Sequence, residues 1–455
     1  MNNEVSFRDR PLNLNEKGGR KWVYTKKTTG KWYTARTIVS IFLIAFLVAA
    51  PLIKFNDHSF MLLDITNRKF ILFGAIFWAQ DTFILALLML SFVMFVVVFT
   101  VTFGRIWCGW ACPQTIFMEM IFRRIEFWIE GDRNKRQKRD KSPLDFDKIW
   151  RKTLKHLIFI IISIAITNVF LLWFTGPEKL WEIISSPLKD HFSGFIVMLI
   201  ISAVFYWIYS FFREQICTMV CPYGRMQGVL LDNKSVIVAY DYKRGEPRGK
   251  NEGGDCIDCG SCLAVCPTGI DIKDGTQLEC INCTACIDEC NIVMNRINKP
   301  KGLIRFDSIE GIEQGKTTIW NTRNKAYTAV LIILFGFFTY ALVSRPIVET
   351  TILRTPNTLF QEREGGTISN IYRIKVLNKT YIKKELNIRL LSHKGEVTTV
   401  GGAILLNGHG MYESTMIITI DKKDITAGKI DIILGVFEGD EQIDDYEIAF
   451  IGPHK

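Results

Sequence analysis

The sequence predicts a multi-domain membrane protein with an α-helical transmembrane bundle of about five helices, a cysteine-rich insert and a C-terminal all-β sandwich. Three observations predict this fold class. Five stretches are almost without charge and long enough to cross a bilayer. Two closely spaced runs of cysteines lie between the fourth and fifth stretches. The region after the fifth stretch changes to short, alternating apolar runs separated by turn residues, a pattern typical of strands.

The apolar stretches define the membrane part, because each can form one transmembrane helix. They are Arg36–Phe55, Thr82–Phe103, His156–Trp173, Phe192–Phe212 and Tyr327–Val343. The shorter apolar run Phe70–Trp78 is expected to be an interfacial or re-entrant piece. Polar and basic residues precede the first stretch, and Pro51 is a poor neighbour for a cleavage site. We therefore expect the first stretch to remain as an anchor.

Basic residues are concentrated in the loops on one side of the predicted bundle. The N-terminal arm and the loop after the second stretch contain Arg8, Arg10, Lys17, Arg20, Lys21, Lys26, Lys27, Lys31, Arg123, Arg124 and the cluster Arg133–Lys141. The opposite loops contain Arg68, Lys69, Lys179 and Lys189. Because Lys and Arg near a span resist transfer across the membrane, we expect a multi-pass membrane protein with a cytoplasmic N-terminus and an outward-facing C-terminus.

The same asymmetry accounts for the net charge of +10, so no nucleic-acid partner is expected. The basic run Arg133–Arg139 is interpreted as a topology signal on a solvated loop that can also touch anionic lipid head groups of the bilayer.

All 12 cysteines lie between Cys108 and Cys290, and the predicted topology places them in the cytoplasm or at its membrane edge. A disulfide-bonded protein would instead place its thiols in the oxidising compartment. The distribution therefore indicates metal ligation or redox chemistry.

Eight of these cysteines form two runs with the spacing C-x2-C-x2-C-x3-C. This spacing is typical of proteins with two [4Fe-4S] clusters, in which the fourth cysteine of each run binds the other cluster. Cluster 1 is therefore predicted at Cys256, Cys259, Cys262 and Cys290, and cluster 2 at Cys280, Cys283, Cys286 and Cys266. Zinc is the alternative for C-x2-C pairs, but zinc sites do not require four cysteines in this spacing twice.

The other four cysteines, named the membrane-edge cysteines below, form two C-x3-C-P pairs. Cys108 and Cys112 follow the second stretch, and Cys217 and Cys221 follow the fourth, which resembles an internal repeat. A cysteine before a proline at the first helical position lies where helix amides stabilise a thiolate. If the pairs converge, four thiolates can surround one soft ion. Cu(I) is the natural candidate, and a disulfide, a further cluster or plain packing are the alternatives.

The C-terminal region is expected to form a β-sandwich of about a hundred residues. Its strongest strand signals are Tyr372–Leu377, Glu385–Leu391, Met416–Ile420 and Lys429–Val436. The region has no catalytic constellation, and His409 is interpreted as an exposed loop residue rather than a metal ligand. These assignments divide the chain into a cytoplasmic N-terminal arm (1–35), a four-helix region (36–230), a cytoplasmic cluster domain (231–326), a fifth helix (327–343) and a periplasmic domain (344–455).

The combined motifs resemble those of the cytochrome c oxidase accessory proteins called CcoG, FixG or RdxA. The resemblance rests on Cys108–Gln114, Ile129–Asp132, Cys221–Arg225, Tyr240–Gly249, both cysteine runs and Lys301–Arg305. It implies a protein of the bacterial inner membrane with a ferredoxin-like insert and an immunoglobulin-like fold for a periplasmic C-terminal domain. It also implies a role in assembling cbb3-type cytochrome oxidase by reducing Cu(II) to Cu(I). The membrane-edge cysteines would then be the copper or redox residues.

Three hypotheses follow. The first is a membrane cupric reductase that passes electrons from a cytosolic donor through both clusters to copper at the membrane-edge cysteines. The second is an electron-transfer subunit that exchanges electrons with the quinone pool, as the similar NapH and NosR proteins suggest. The third is an assembly factor whose clusters are mainly structural and whose outward domain holds oxidase components. The sequence identifies neither the electron donor nor the partner of the C-terminal domain.

Overall fold

The computed structural model describes residues 22–453 except 56–57, 66–67, 79–80, 188, 190, 251, 357, 364–365, 381 and 409. The basic residues Arg8 to Lys21 of the arm, and His409, therefore lie outside the described residues. The chain divides into two compact units, Met1–Thr339 and Tyr340–Lys455.

In the described part of the chain, five helices are long and apolar enough to cross a membrane, which agrees with the predicted fold class. These spans one to five are Lys31–Ala49, Thr82–Phe103, Phe146–Thr175, Phe192–Phe212 and Thr322–Val343. Most of their side chains are not buried within the protein, because lipid rather than protein covers an outward-facing apolar helix surface. The fourth span ends in a π-helical turn, Ile208–Phe212, a local widening that is frequent at functional sites.

The segment between spans one and two forms short strands. They are β1 (Lys54–Phe55), β2 (His58–Ser59), β3 (Leu62–Asp64), β4 (Lys69–Leu72) and β5 (Ala75–Trp78). The run Phe70–Trp78, expected as an interfacial or re-entrant piece, thus forms most of the antiparallel β4–β5 pair. The turn of this hairpin lies at Phe73 and Gly74, both of which have positive φ. The chain therefore reverses direction within the run and does not form one continuous membrane segment.

Short helices connect the ends of the spans to the cysteine-rich insert. After span two they are Ile106–Trp110, Pro113–Ile116, the π-helical Phe117–Phe122, Arg123–Ile129 and Arg133–Lys141, and after span three the helix is Pro177–Ser185. After span four they are the π-helical Ile216–Val220 and Pro222–Leu230. The insert adds helices Tyr242–Gly245, Ser261–Val265, Ile272–Asp274, Ala285–Arg296 and Ile309–Gln314. It is closed by antiparallel pairing of β6 (Ile237–Tyr240) with β7 (Ile304–Asp307).

The C-terminal unit contains two antiparallel sheets. Its strands are β8 (Val348–Arg354), β9 (Gln361–Arg363), β10 (Thr367–Asn378), β11 (Lys384–Leu390), β12 (Gly395–Thr399), β13 (Ile404–Leu406), β14 (Met411–Asp421), β15 (Lys429–Glu438) and β16 (Glu441–Ile451). One sheet has the order β12-β14-β10-β8 with β9 beside β10, and the other has the order β13-β11-β15-β16. Alternate residues of the central strands, such as Ile374, Ile418 and Leu434, are fully buried in one core, as a two-layer sandwich requires.

Candidate iron–sulfur and thiol site

The two cysteine runs fold into loops of the same local geometry. In each run, the second and fourth residues after the first cysteine have positive φ, at Asp258 and Gly260 in one loop and at Asn282 and Thr284 in the other. The left-handed residues Gly260 and Thr284 each directly precede a helix. For a β-branched residue such as Thr284 this backbone conformation is unfavourable, and such outliers concentrate at functional sites. The repeated loop shape gives the three closely spaced cysteines of each run the same local backbone arrangement.

The eight thiols separate into two groups that combine residues of both runs. Charge interactions connect the last cysteine of the second run with three of the first: Cys256, Cys259, Cys262 and Cys290. They connect the last cysteine of the first run with three of the second: Cys266, Cys280, Cys283 and Cys286. Cys262 also lies within range of Cys286, but its effect is smaller than that of the three cysteines of this group. This grouping and the all-thiol donor sets fit two [4Fe-4S] clusters with exchanged fourth ligands.

Burial disfavours the ionised form of these thiols in the protein alone. Burial, together with the nearby Asp271 carboxylate, raises the pKa of Cys262 to about 12. Burial likewise raises the pKa of Cys280 and of Cys290 to about 12. Because iron binds thiolates, the positive charge of bound iron would offset this penalty.

The segment Tyr240–Gly249 acts as a clamp on the first cysteine loop. Arg244 pairs with Asp255 at 2.5 Å and donates to the backbone carbonyls of Pro300 and Lys301. The ring of Tyr240 packs so close to Gly245 that a Cβ there would overlap its hydroxyl oxygen, and that hydroxyl lies beside the Cys256 thiol. These contacts hold the segment as a rigid linker into the cysteine-rich insert. The Arg244 guanidinium is already bound to Asp255 and to two backbone carbonyls within the protein.

The two membrane-edge pairs have matching local structure. Cys112 and Cys221 are both N-cap residues with extended backbones (φ −64°, ψ 124° and φ −68°, ψ 112°), and each is followed by a proline that begins a helix. The spans before them end at residues with positive φ, Gly104 and Arg213. The internal repeat seen in the spacing therefore extends to the backbone around each pair.

The structure brings the two pairs together. Cys217 lies close enough to Cys108, Cys112 and Cys221 for their charges to interact. Burial raises the pKa of Cys108 to about 11 and that of Cys217 to about 12. Burial also raises the pKa of Cys112, and the backbone amides of Thr115 and Gln114 only partly counteract it. The helix N-terminus thus favours the Cys112 thiolate, as expected, but desolvation is the larger effect.

Gln227 and Arg105 support this thiol group. The Gln227 side-chain oxygen is fully buried and accepts hydrogen bonds from Arg105 Nε at 2.8 Å and from Cys108 Sγ at 3.2 Å. Arg105 also donates to the backbone carbonyl of Leu278, just before the second cysteine run. Sequence reasoning missed both residues, although an arginine at the end of an apolar span signals a need for buried partners.

The first membrane-edge pair lies directly against the loop of the second cysteine run. Cys108 packs in one apolar cluster with Ile281 and Cys283. A Cβ on Gly109 would lie 2.4 Å from the Ile281 carbonyl oxygen and 3.0 Å from the Cys283 backbone nitrogen. Trp110 Nε1 donates to the Asn282 carbonyl at 3.3 Å. The glycine thus allows backbone-to-backbone contact between the two cysteine-bearing segments.

Among the described residues, no three or more Cys, His, Asp or Glu side chains converge on one point as ligands of a single ion do. The membrane-edge cysteines are therefore neighbours without forming a closed tetrahedral site. Met118 follows the first membrane-edge pair, and Met219 lies within the second. Met118 is buried in an apolar cluster, which favours packing, and Met219 is partly exposed.

The N-terminal arm attaches the cluster domain to the membrane part. Lys26 N donates to the Ala264 carbonyl at 2.8 Å, within the helix between Cys262 and Cys266. Its side chain pairs with Glu289. The backbone amides of Trp32 and Tyr33 donate to the Asp288 carboxylate at 3.2 and 2.7 Å. The helix of the first cysteine loop is thereby held against the arm, and the helix after the second loop is held against the start of span one.

Comparison with family models identifies three regions. Residues 212–309 match a 4Fe-4S dicluster domain, and residues 85–136, which contain Cys108 and Cys112, match a 4Fe-4S binding domain. Residues 338–453 match the IG-like fold at the C-terminus of FixG.

The chain is also similar to curated proteins over most of its length. It is 33% identical to the protein RdxA of Cereibacter sphaeroides, with 77% of each chain covered. It is 30% identical to the nitrogen fixation protein FixG of Rhizobium meliloti, over 84% of this chain and 82% of that protein. It is 30% identical to the protein RdxB of Cereibacter sphaeroides, over 91% of this chain and 89% of that protein.

The apolar spans, the iron–sulfur domains and the IG-like domain define a membrane-bound iron–sulfur protein of electron transfer. The chain belongs to the FixG/RdxA family.

Proposed function

We propose that this protein reduces Cu(II) to Cu(I) at its membrane-edge cysteines and supplies the copper centre of a cbb3-type cytochrome c oxidase during assembly. The observation that carries the proposal is the contact of the Cys108–Trp110 segment with the second cysteine loop. A thiol group that packs against a cluster loop is placed to receive electrons over a short distance.

The crossed groups described above are the proposed cluster ligands. Clusters bound there would supply single electrons. The chain's own contribution is to bury the thiols, to hold the two loops in the same shape, and to press one loop against Gly109. One side of the cysteine-rich insert also reaches solvent, because Cys259 is exposed. Cluster 1 would therefore be accessible to a soluble electron carrier.

Copper is the proposed substrate. Cu(II) gains one electron and becomes Cu(I), which thiolates bind more favourably than they bind Cu(II), so reduction and capture favour each other. The membrane-edge thiols do not share one point among the described residues, so the proposal requires their side chains to rotate when copper binds. A disulfide or a further cluster in this place remains the alternative occupant to be tested.

The proposed orientation puts the arm, the cysteines and the cluster domain in the cytoplasm and the IG-like unit in the periplasm. The placement of charge supports it. The helix Arg133–Lys141 is strongly basic and follows the span that leads to Cys108, whereas the segment with β1–β5 has few basic residues. The proposed partners are components of oxidase assembly and an electron donor.

Exchange of the fourth ligand can be tested by combining serine substitutions. Each of Cys256→Ser, Cys266→Ser and Cys290→Ser is expected to lower the bound iron by about half, because one of two four-iron clusters is lost. The double variant Cys256→Ser/Cys290→Ser should retain the same half, since both residues serve cluster 1. Cys256→Ser/Cys266→Ser should lose nearly all iron. Iron analysis after anaerobic purification measures this, and the reverse pattern of the two doubles would show ligation within each run.

Copper reduction can be tested on protein that has been reduced with dithionite and freed of excess reductant. Replacing both Cys108 and Cys217 by serine is expected to abolish Cu(II) reduction, followed with a Cu(I)-specific chelator, while the iron content stays at the wild-type level. Met219→Leu is the control, because it removes a sulfur within the second pair without removing a thiol. Wild-type reduction by the double serine variant would overturn the proposed function.

A further inference from the structure

A polar cavity of about 340 Å³ lies beside the ends of spans three and four, separate from the thiol groups. Its wall is formed by Trp22 and Tyr24 of the arm, the connecting segment from Arg123 to Lys141, and these two spans. Such a volume is within the range of small-molecule sites.

The charged side chains of this wall are already paired with one another. The pairs are Glu126–Arg136 at 3.1 Å, Glu130–Lys155 at 3.0 Å and Asp140–Lys152 at 2.5 Å. A phosphate group would need cations without carboxylate partners, and these three cations each have one. The cavity is therefore suited to a neutral ligand.

Buried polar groups point to a ligand with hydrogen-bonding ends. Within the described part of the chain, Ser210 Oγ and Arg136 Nε have no hydrogen-bond partner, although both residues are only 2% exposed. Buried polar atoms normally have a partner, so an absent ligand or solvent must satisfy them. His156, whose Nδ1 lies 2.9 Å from the Tyr206 hydroxyl, adds a second base beside the Glu130 carboxylate.

The same cavity has flat aromatic walls and an edge in the membrane region. Trp22, Tyr24 and Phe211 line it with their rings. Phe211 is 45% exposed in the last turn of span four, where lipid replaces solvent. A planar headgroup carried on an apolar tail can therefore enter from the bilayer and stack between these rings.

The cavity also lies close to both redox segments. Glu126 is one helical turn, about 5 Å, from Arg123, and Arg123 lines a neighbouring small cavity together with Cys283. On the other side, Ser210 follows Tyr209, which lies within range of the charges of Cys112 and Cys217.

We propose that this cavity binds the headgroup of a membrane hydroquinone and that this hydroquinone donates electrons to the protein. The hydroquinone loses two electrons and two protons and becomes the quinone. The cluster domain accepts the electrons one at a time, and Glu130 and His156 accept the protons. This inference rests on the proposed function in one respect only, namely that the electrons finally reduce Cu(II).

Binding is tested on the oxidised full-length protein with menadione, a short quinone, by isothermal titration calorimetry. Ser210→Leu places a larger side chain in the cavity and is expected to weaken binding by roughly tenfold or more, because the added carbon atoms occupy space that the headgroup needs. Ser91→Leu is the matched control, since Ser91 is another buried serine of a span whose hydroxyl lacks a partner in the described residues. Equal binding by Ser210→Leu and wild type, or no binding by wild type, would overturn the inference.

Electron donation is tested by mixing the oxidised protein anaerobically with menadiol and following the loss of cluster absorbance. Wild type should be reduced, and both Ser210→Leu and Glu130→Gln should be reduced roughly tenfold more slowly. Dithionite should reduce all of them equally. If menadiol fails while dithionite-reduced protein still reduces Cu(II), the inference is wrong and the proposed function stands. If menadiol reduces the protein but copper is not reduced, the proposed function fails and the inference stands.

Discussion

Gly109→Ala is expected to slow Cu(II) reduction by reduced protein by on the order of tenfold to a hundredfold, because small displacements of reacting groups have effects of that size. The added Cβ would lie 2.4 Å from the Ile281 carbonyl oxygen and 3.0 Å from the Cys283 nitrogen. These neighbours are backbone atoms, so they cannot rotate away as a flexible side chain can. The Cys108 segment and the second cysteine loop must separate.

The matched control is Gly194→Ala, which adds the same atom to a helix where nothing lies within 4 Å. It should reduce copper at the wild-type rate. Iron content and the electron paramagnetic resonance spectrum of the reduced protein establish that both variants retain their clusters. Wild-type copper reduction by Gly109→Ala with intact clusters would contradict direct electron transfer across this contact.

The long-range contact at Gly109 could not be predicted from sequence, whereas the cysteines on either side of it could. Spacing alone predicts the two cluster loops, because a tight loop with two-residue gaps has few other uses. Periodicity and length likewise predict the spans and the sandwich, and the described helices and strands agree. The glycine before Trp110 has no local signal that a second backbone lies against it, since that neighbour is more than 170 residues away in the chain.

Polar partners inside the membrane part were also beyond sequence reasoning. The loop after span two was interpreted as a solvated topology signal, and the exposed residues Lys135 and Lys138 fit that description. Arg136 does not, because it is 2% exposed and paired with Glu126. A helix of nine residues with several basic side chains gives no indication of which one turns inward. Tertiary packing decides it.

Glu126→Gln is expected to destabilise the membrane part by about 3–5 kcal/mol, the usual cost of removing one partner from a buried ion pair. Glu126 accepts hydrogen bonds from Arg136 Nη1 at 3.1 Å and Arg213 Nη1 at 3.0 Å, and Lys155 Nζ lies 3.8 Å away. The carboxylate thus joins two connecting helices, span three and the end of span four. Glutamine keeps the shape but leaves three cations around a neutral group.

The pH dependence of this effect distinguishes charge from packing. Burial opposes ionisation of Glu126, but Arg213, Lys155 and Arg136 hold its pKa at about 2, below the ordinary value of 4.5. A carboxyl group with a lowered pKa stabilises the folded state above its unfolded pKa, and this contribution disappears as the pH falls toward the folded pKa. The stability difference between wild type and Glu126→Gln should therefore be full at pH 7 and shrink between about pH 4.5 and pH 2.

Thermal unfolding in detergent, followed by tryptophan fluorescence at several pH values, measures this difference. Glu178→Gln is the control, because Glu178 is 80% exposed in its pair with Lys54, and exposed pairs contribute about 0–1 kcal/mol. If the stability difference between wild type and Glu126→Gln stayed constant from pH 7 to pH 2, the carboxylate would act through shape alone. If this stability difference disappears in acid, Glu126 holds the ends of the spans together by its charge. The same carboxylate lines the cavity in which a hydroquinone is proposed to bind.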